Sequence, residues 1–132
     1  MATLPGFTVL GFPCDQFYNQ EPGNNNEILN TLYYVRPGGK FVPSFPLTQK
    51  THVNGDDAHP VFKFMRNLCP STQVEIVPDG YPLPVWSPIT TTDVQWNFET
   101  FLISKTGFLY KRYNSNVDPI LIQSDIEYLL AQ

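Results

Sequence analysis

The run FTVLGF, residues 7–12, constrains the fold more than any other stretch of the chain. It is built from strand formers, is apolar nearly throughout, and is bounded by Gly6 and Pro13. A strand with one wet face alternates polar and apolar residues. A run without alternation predicts a strand buried on both faces, the pattern of a parallel sheet covered by helices.

The rest of the chain supplies the cover. In NNNEILNTLYYVRPGG, Asn24 to Asn26 offer N-caps, and Ile28, Leu29, Leu32 and Tyr33 fall at helical spacing. Arg36 closes that pattern and Pro37-Gly38-Gly39 stops it. FVPSFPLTQK is extended, and its two prolines fit an edge strand rather than an interior one. NGDD is a turn leading into HPVFKFMRNLC, a helix with Pro60 in its first turn and an apolar stripe of Val61, Phe62, Phe64, Met65 and Leu68. Residues 70–92 carry five prolines and a glycine and read as a long irregular excursion, of the kind that is usually functional or interfacial. WNFETFLISKTGFLYKRYN reads as two strands around a KTG turn. DPILIQSDIEYLLAQ reads as a C-terminal helix with Pro119 at N1 and a face of Ile120, Leu121, Ile126, Leu129 and Leu130. The order β, α, β, α, loop, β, β, α predicts an α/β sandwich, one mixed sheet with helices on both faces. At 132 residues the chain suits a single domain with one core.

Composition excludes several classes. A net charge of −4 gives no footprint for nucleic acid or an anionic membrane. No apolar run approaches the roughly 20 residues of a membrane-spanning helix. Cys14 and Cys69 lie far apart and form neither a disulfide framework nor a zinc spacing. His52 and His59 have no clustered ligands beside them, so no metal site is expected. The N-terminus lacks the basic and apolar regions of a signal peptide, and the compartment stays open.

Three motifs go further than periodicity. GFPCDQFYNQEPG, VNGDDAHP and WNFETFLI occur in that order. Together they resemble the glutathione peroxidase family, whose usual forms are FPCNQF–x–x–QEPG, VNG–x–x–x–HP and WNF–x–K/T–FL. The resemblance runs over essentially the whole chain. Asp15 stands where the family usually has Asn, and Tyr18 where it usually has Gly. The resemblance implies a thioredoxin-like fold, in agreement with the element order. It also implies reduction of hydrogen peroxide and organic hydroperoxides, with glutathione as co-substrate, in protection against oxidative stress. No further cofactor is implied.

Residue by residue, Gln20 matches the Gln of the family's QEP, and Trp96 and Asn97 match the pair in WNF. Alone, Gln20 reads as a polar residue at a helix entry, Trp96 as core and Asn97 as a turn residue. With the motifs in place the resemblance assigns all three to catalysis. The chemistry suits the types. An indole N–H only donates, and amides donate without titrating. Such groups stabilise an anion and hold a peroxide without competing for protons. Glutathione carries two carboxylates, so basic residues are expected around it. Arg36 matches the Arg before the family's Pro-Gly-Gly, and Lys111 and Arg112 match a basic pair after its strand. Each also suits a solvated surface charge. Cys14 lies inside the best motif, yet the family keeps this cysteine apart from the reactive one, so it is expected to be a buried structural thiol. Cys69 is expected to pack.

YVRPGGKFVPSF and the excursion ending in WSPI resemble the tetrameric, glutathione-using branch, which implies a homotetramer. The family's nucleophile, a cysteine or selenocysteine, lies in an NVAS–(Cys/Sec)–G segment ahead of FPC, and no such segment occurs in these residues. The chain is therefore expected to be one glutathione peroxidase-like domain over 1–132, incomplete at its N-terminus and inactive or nearly so by itself. The alternative is a non-catalytic thioredoxin-like chain that binds thiols or partners of the family. Which peroxide is preferred, and whether sulfur or selenium reacts, is not written in these residues.

Overall fold

The computed structural model describes residues 4–71 and 84–132. Contacts divide the chain into two compact units, Met1–Thr51 and His52–Gln132. Most of the 70–92 excursion, residues 72–83, lies outside the described residues.

In the first unit FTVLGF is extended but is not a strand. It makes one isolated parallel bridge, Gly11 to Leu47. Gly11 N–H donates to Pro46 O at 3.0 Å, and Thr48 N–H donates to Gly11 O at 2.8 Å. Pro13 and Pro46 carry no N–H, so the ladder cannot extend through them. Leu10 is 51% exposed, against the expectation of burial on both faces. FVPSFPLTQK supplies the other side of this bridge, through Leu47.

Helix α1 spans Asn25–Tyr34. The Glu27 carboxylate reaches back to accept from Asn24 N–H at 2.7 Å, satisfying a donor that the helix itself leaves open. Ile28 is buried and Leu29 exposed, so the inward stripe is narrower than the sequence pattern. At the other end Gly38 takes a left-handed φ of 70° and its N–H closes on Leu32 O at 3.0 Å. A residue without a Cβ makes that stop cheap.

In the second unit helix α2 spans Pro60–Leu68, with His59 as its cap. His59 Nδ1 accepts from Val61 N–H at 3.2 Å. The buried positions are Phe62, Met65 and Arg66. They stand at i, i+3 and i+4 and so share one face, which leaves Phe64 and Leu68 outside it and exposed. The expected stripe was thus right in Phe62 and Met65 and wrong in the other two long side chains.

Strands β1, Thr100–Ile103, and β2, Leu109–Tyr113, pair antiparallel. Thr100 faces Tyr113, Phe101 faces Arg112 and Leu102 faces Lys111, with an irregularity before Ile103. The connection closes through Ser104 N–H to Phe108 O at 2.8 Å. Phe62 meets Phe101 edge-on, ring centroids 6.1 Å apart, which packs α2 on the hairpin.

The C-terminal segment opens as a 3-10 turn, Pro119–Ile122, capped by Asp118, and continues as helix α3, Gln123–Leu130. Its tighter first turn brings Ile122 over Ile126, and these two are buried. Ile120 and Leu121, expected on the inner face, are exposed instead. Asp125 locks α3 to β2, accepting from Tyr113 OH at 2.6 Å and from Lys111 Nζ at 2.9 Å.

Candidate functional site

Trp96 and Asn97 sit half-buried on the turn that enters β1. The residues before them are gripped by a polar network. Asp93 is fully buried and accepts from Trp86 Nε1 at 2.8 Å, Thr90 N–H at 2.9 Å, Thr90 Oγ1 at 2.8 Å and the Arg66 guanidinium. A buried carboxylate requires such partners, because desolvation alone would expel it or neutralise it. Burial pulls the Arg66 guanidinium below its ordinary value, and Asp93 works against that loss. The Asp93 carbonyl accepts from Gln95 Nε2 at 3.1 Å and Arg112 Nη2 at 2.7 Å.

Asn54, 1% exposed, pairs with the residue after Asp93. Its Nδ2 donates to Val94 O and its Oδ1 accepts from Val94 N–H, both at 2.8 Å. On the far side of the turn, Glu99 Oε1 accepts from Gln95 N–H at 2.5 Å. Phe98 holds a left-handed φ of 67° and is 90% exposed. Conformations of this kind concentrate at functional sites in side chains that bear a Cβ.

Gln20 belongs to the first unit, at the exit of the tight turn after FPC. There Asn19 N–H donates to Asp15 O at 3.0 Å and Gln20 N–H to Phe17 O at 3.2 Å. Tyr18 and Asn19 are both left-handed, with φ of 55° and 51°. Lys50 stitches this turn to the start of α1. Its Nζ lies 3.1 Å from Asp15 Oδ2 and donates to Glu21 O at 3.2 Å, while its N–H donates to Asn25 Oδ1 at 2.7 Å. The Gln20 side chain is exposed. Cys14 is buried and its thiol donates to Gln16 Oε1 at 3.6 Å.

The expected glutathione cations part company. Arg36 is exposed just beyond α1. Lys111 is exposed, lies 5.1 Å over the Tyr113 ring and is drawn to Asp125, whose hydrogen bond raises the ammonium above its ordinary value. Arg112 is 4% exposed. It donates to Glu99 Oε2 at 2.7 Å, Thr92 O at 2.9 Å, Cys69 O at 3.1 Å and Asp93 O at 2.7 Å. Unlike Arg36 and Lys111, Arg112 spends these donors on protein acceptors beneath the Trp96–Asn97 turn.

Sequence reasoning left Asn54, Arg66, Asp93 and Glu99 unassigned. Asn54 stood inside the VNGDDAHP motif, and Arg66 stood at i+4 from Phe62, a position that implies burial. Glu99 stood inside WNFETFLI, and the local partners of Asp93, Thr90 and Trp86, gave no sign of its burial, which comes with the remote Arg66.

The α/β chain has a thioredoxin-like fold. It is similar to the crystal structure of T. cruzi GPX1, with a TM-score of 0.58 and 28% identity, over 96% of this chain and 61% of that one. It is similar to that of Trgpx in apo form, with a TM-score of 0.57 and 31% identity, over 94% and 57%. The family model described as Glutathione peroxidase matches residues 3–66. Glutathione peroxidase 1 of Mus musculus is 48% identical over 130 residues, and that of Bos taurus 47% over 129 residues, each taking in 96% of this chain. The chain is thus similar to glutathione peroxidases along nearly all of its length. It spans 64% of the mouse relative and 63% of the bovine one.

Proposed function

We propose that this chain carries the hydrogen-bond-donor half of a glutathione-dependent peroxide-reducing site. The observation that carries the reading is the Trp96–Asn97 turn, held from both sides by the network of Asp93, Asn54 and Glu99. A network of that density is costly to bury and serves to fix what it surrounds.

In the reaction an anionic sulfur or selenium attacks one peroxide oxygen, the O–O bond breaks, and the other oxygen leaves as alkoxide and takes a proton. The oxidised centre is a sulfenic or selenenic acid. One glutathione thiolate attacks that centre and expels hydroxide, which takes up the thiol's proton and leaves as water, and a second releases glutathione disulfide and regenerates the anion. Gln20, Trp96 and Asn97 donate to the anion and to the departing oxygen. Arg36 and Lys111 are the exposed cations suited to glutathione's carboxylates. The reading gives Cys14 and Cys69 no part in the attack. Cys14 is buried against Gln16, and Cys69 caps α2. The reacting Cys or selenocysteine comes from sequence other than these residues. The PGGKFVPSF and WSPI segments support a homotetramer for the complete protein.

The test is a chimera that adds back the part of the mouse relative this chain does not span. We expect glutathione-dependent consumption of hydrogen peroxide, and a loss of about a hundredfold in turnover for Trp96→Phe, the usual scale for one oxyanion donor. Undiminished turnover in that variant sinks the donor role. Turnover by residues 1–132 alone, above the free-thiol background, sinks the placement of the nucleophile outside them. A folded chimera without turnover would favour a non-catalytic, partner-binding chain.

A further inference from the structure

We infer that Asn54 is a positioning residue, which sets the Trp96–Asn97 turn without itself touching the reactants. The inference rests on the reading of that turn as catalytic. Asn54 presents to Val94 what a neighbouring strand would present, a donor for its carbonyl and an acceptor for its N–H, each at 2.8 Å. Val94 lies two residues before Trp96 and outside both strands. The entry to the turn is therefore paired as a sheet residue is, but by a side chain.

Asn54 can act as a fixed tab because it is itself fixed. Its Oδ1 also accepts from Arg66 Nη1 at 3.3 Å, tying it to α2. His59 N–H donates to His52 O at 2.9 Å, which closes the loop bearing Asn54 onto the start of that helix. Gly55, with a left-handed φ of 79°, lets Ser87 O come within 3.0 Å of where a Cβ would stand, and Asp56 N–H donates to the same oxygen at 3.0 Å. Three elements thus locate one carboxamide. At 1% exposure no bulk water can replace it. Removing it strands both polar groups of Val94. An amide suits the task because it holds donor and acceptor together and does not titrate.

Amide exchange on the 15N-labelled 132-residue chain tests this. In the wild-type chain the Val94 amide is expected to be protected. In Asn54→Ala it should exchange on the order of tenfold faster or more, with a shift of the Trp96 indole resonance, while the β1–β2 amides keep their protection. Asn54→Asp retains the acceptor for Val94 N–H and its contact with Arg66, so it should keep most of the Val94 protection that Ala loses. It also serves as the probe if the Ala variant does not fold. A role in packing alone predicts the reverse order, with the buried charge worse than Ala. An unprotected Val94 amide in the wild-type chain, or protection lost evenly across the unit in both variants, would overturn the assignment. Neither readout involves peroxide, so a failure of the proposed chemistry and a failure of this inference are separately visible.

Discussion

Glu99 and Arg112 meet at 2.7 Å with their side chains 1% and 0% exposed, so the ion pair beneath the Trp96–Asn97 turn is sealed from water. Breaking such a pair from one side leaves a buried charge without compensation and typically costs about 3–5 kcal/mol. Arg112→Ala should lose stability on that scale in urea denaturation of the chain. A loss under about 1 kcal/mol, the range of exposed pairs, would return Arg112 to the surface and reopen its role with substrate.

Tyr18 occupies a left-handed position, φ 55°, in the turn that presents Gln20. An L-residue there costs about 1–2 kcal/mol, and glycine gives part of that back as unfolded-state entropy. Tyr18→Gly should therefore raise stability by roughly 0.5–1 kcal/mol. A drop in the denaturation midpoint would show that the phenol ring contributes more than its backbone costs.

Gly55 faces both constraints at once, a left-handed φ of 79° and a neighbouring carbonyl where a Cβ would go. Gly55→Ala should cost about 2 kcal/mol or more. It should also raise exchange at Val94, since the loop bearing Asn54 must shift. A neutral substitution would mean that the Trp86–Ser87 segment yields freely.

The lock between β2 and α3 titrates. Hydrogen bonds from Tyr113 and Lys111 hold the Asp125 carboxyl below its ordinary value. A group whose value falls on folding contributes stability above its unfolded pKa, about 3.9, and that contribution is lost as pH falls through the folded one. Lys111 is raised, chiefly by its hydrogen bond to Asp125, and Tyr113 is raised, first by burial. Their contributions are full below their unfolded values, about 10, and are lost above them. Melting temperature should fall below about pH 4 and again above about pH 10. In Asp125→Asn both falls should be shallower. Identical profiles in the two proteins would remove the lock from the account.

Legibility followed the range of the interactions. Helices α1 and α2 were visible because caps and spacing are local: Asn24 with Glu27, and His59 with Pro60, lie within a turn of the residues they serve. The first strand was over-read, since Pro13 and Pro46, though visible in the sequence, interrupt the pairing only through the Gly11–Leu47 register, which the sequence does not state. Trp96 and Asn97 were legible as a motif. What holds them was not, because Asn54 and Val94 are forty positions apart in the chain. The burial of Arg112 was hidden for a related reason. A charged residue beside an exposed lysine looks like surface until its register opposite Phe101 and its partner Glu99 are known.

The grips described on the Trp96–Asn97 turn arise from Asn54, Arg66, Trp86, Thr90, Glu99 and Arg112, all within the unit His52–Gln132. The indole and the amide are thus aimed by a cassette that travels whole. A recombination joint near residue 52 could exchange everything ahead of it, the Gln20 loop included, and still deliver both donors on an intact mount. The sequence ahead of residue 52 is in that way free to diverge without disturbing the mount of the indole and the amide.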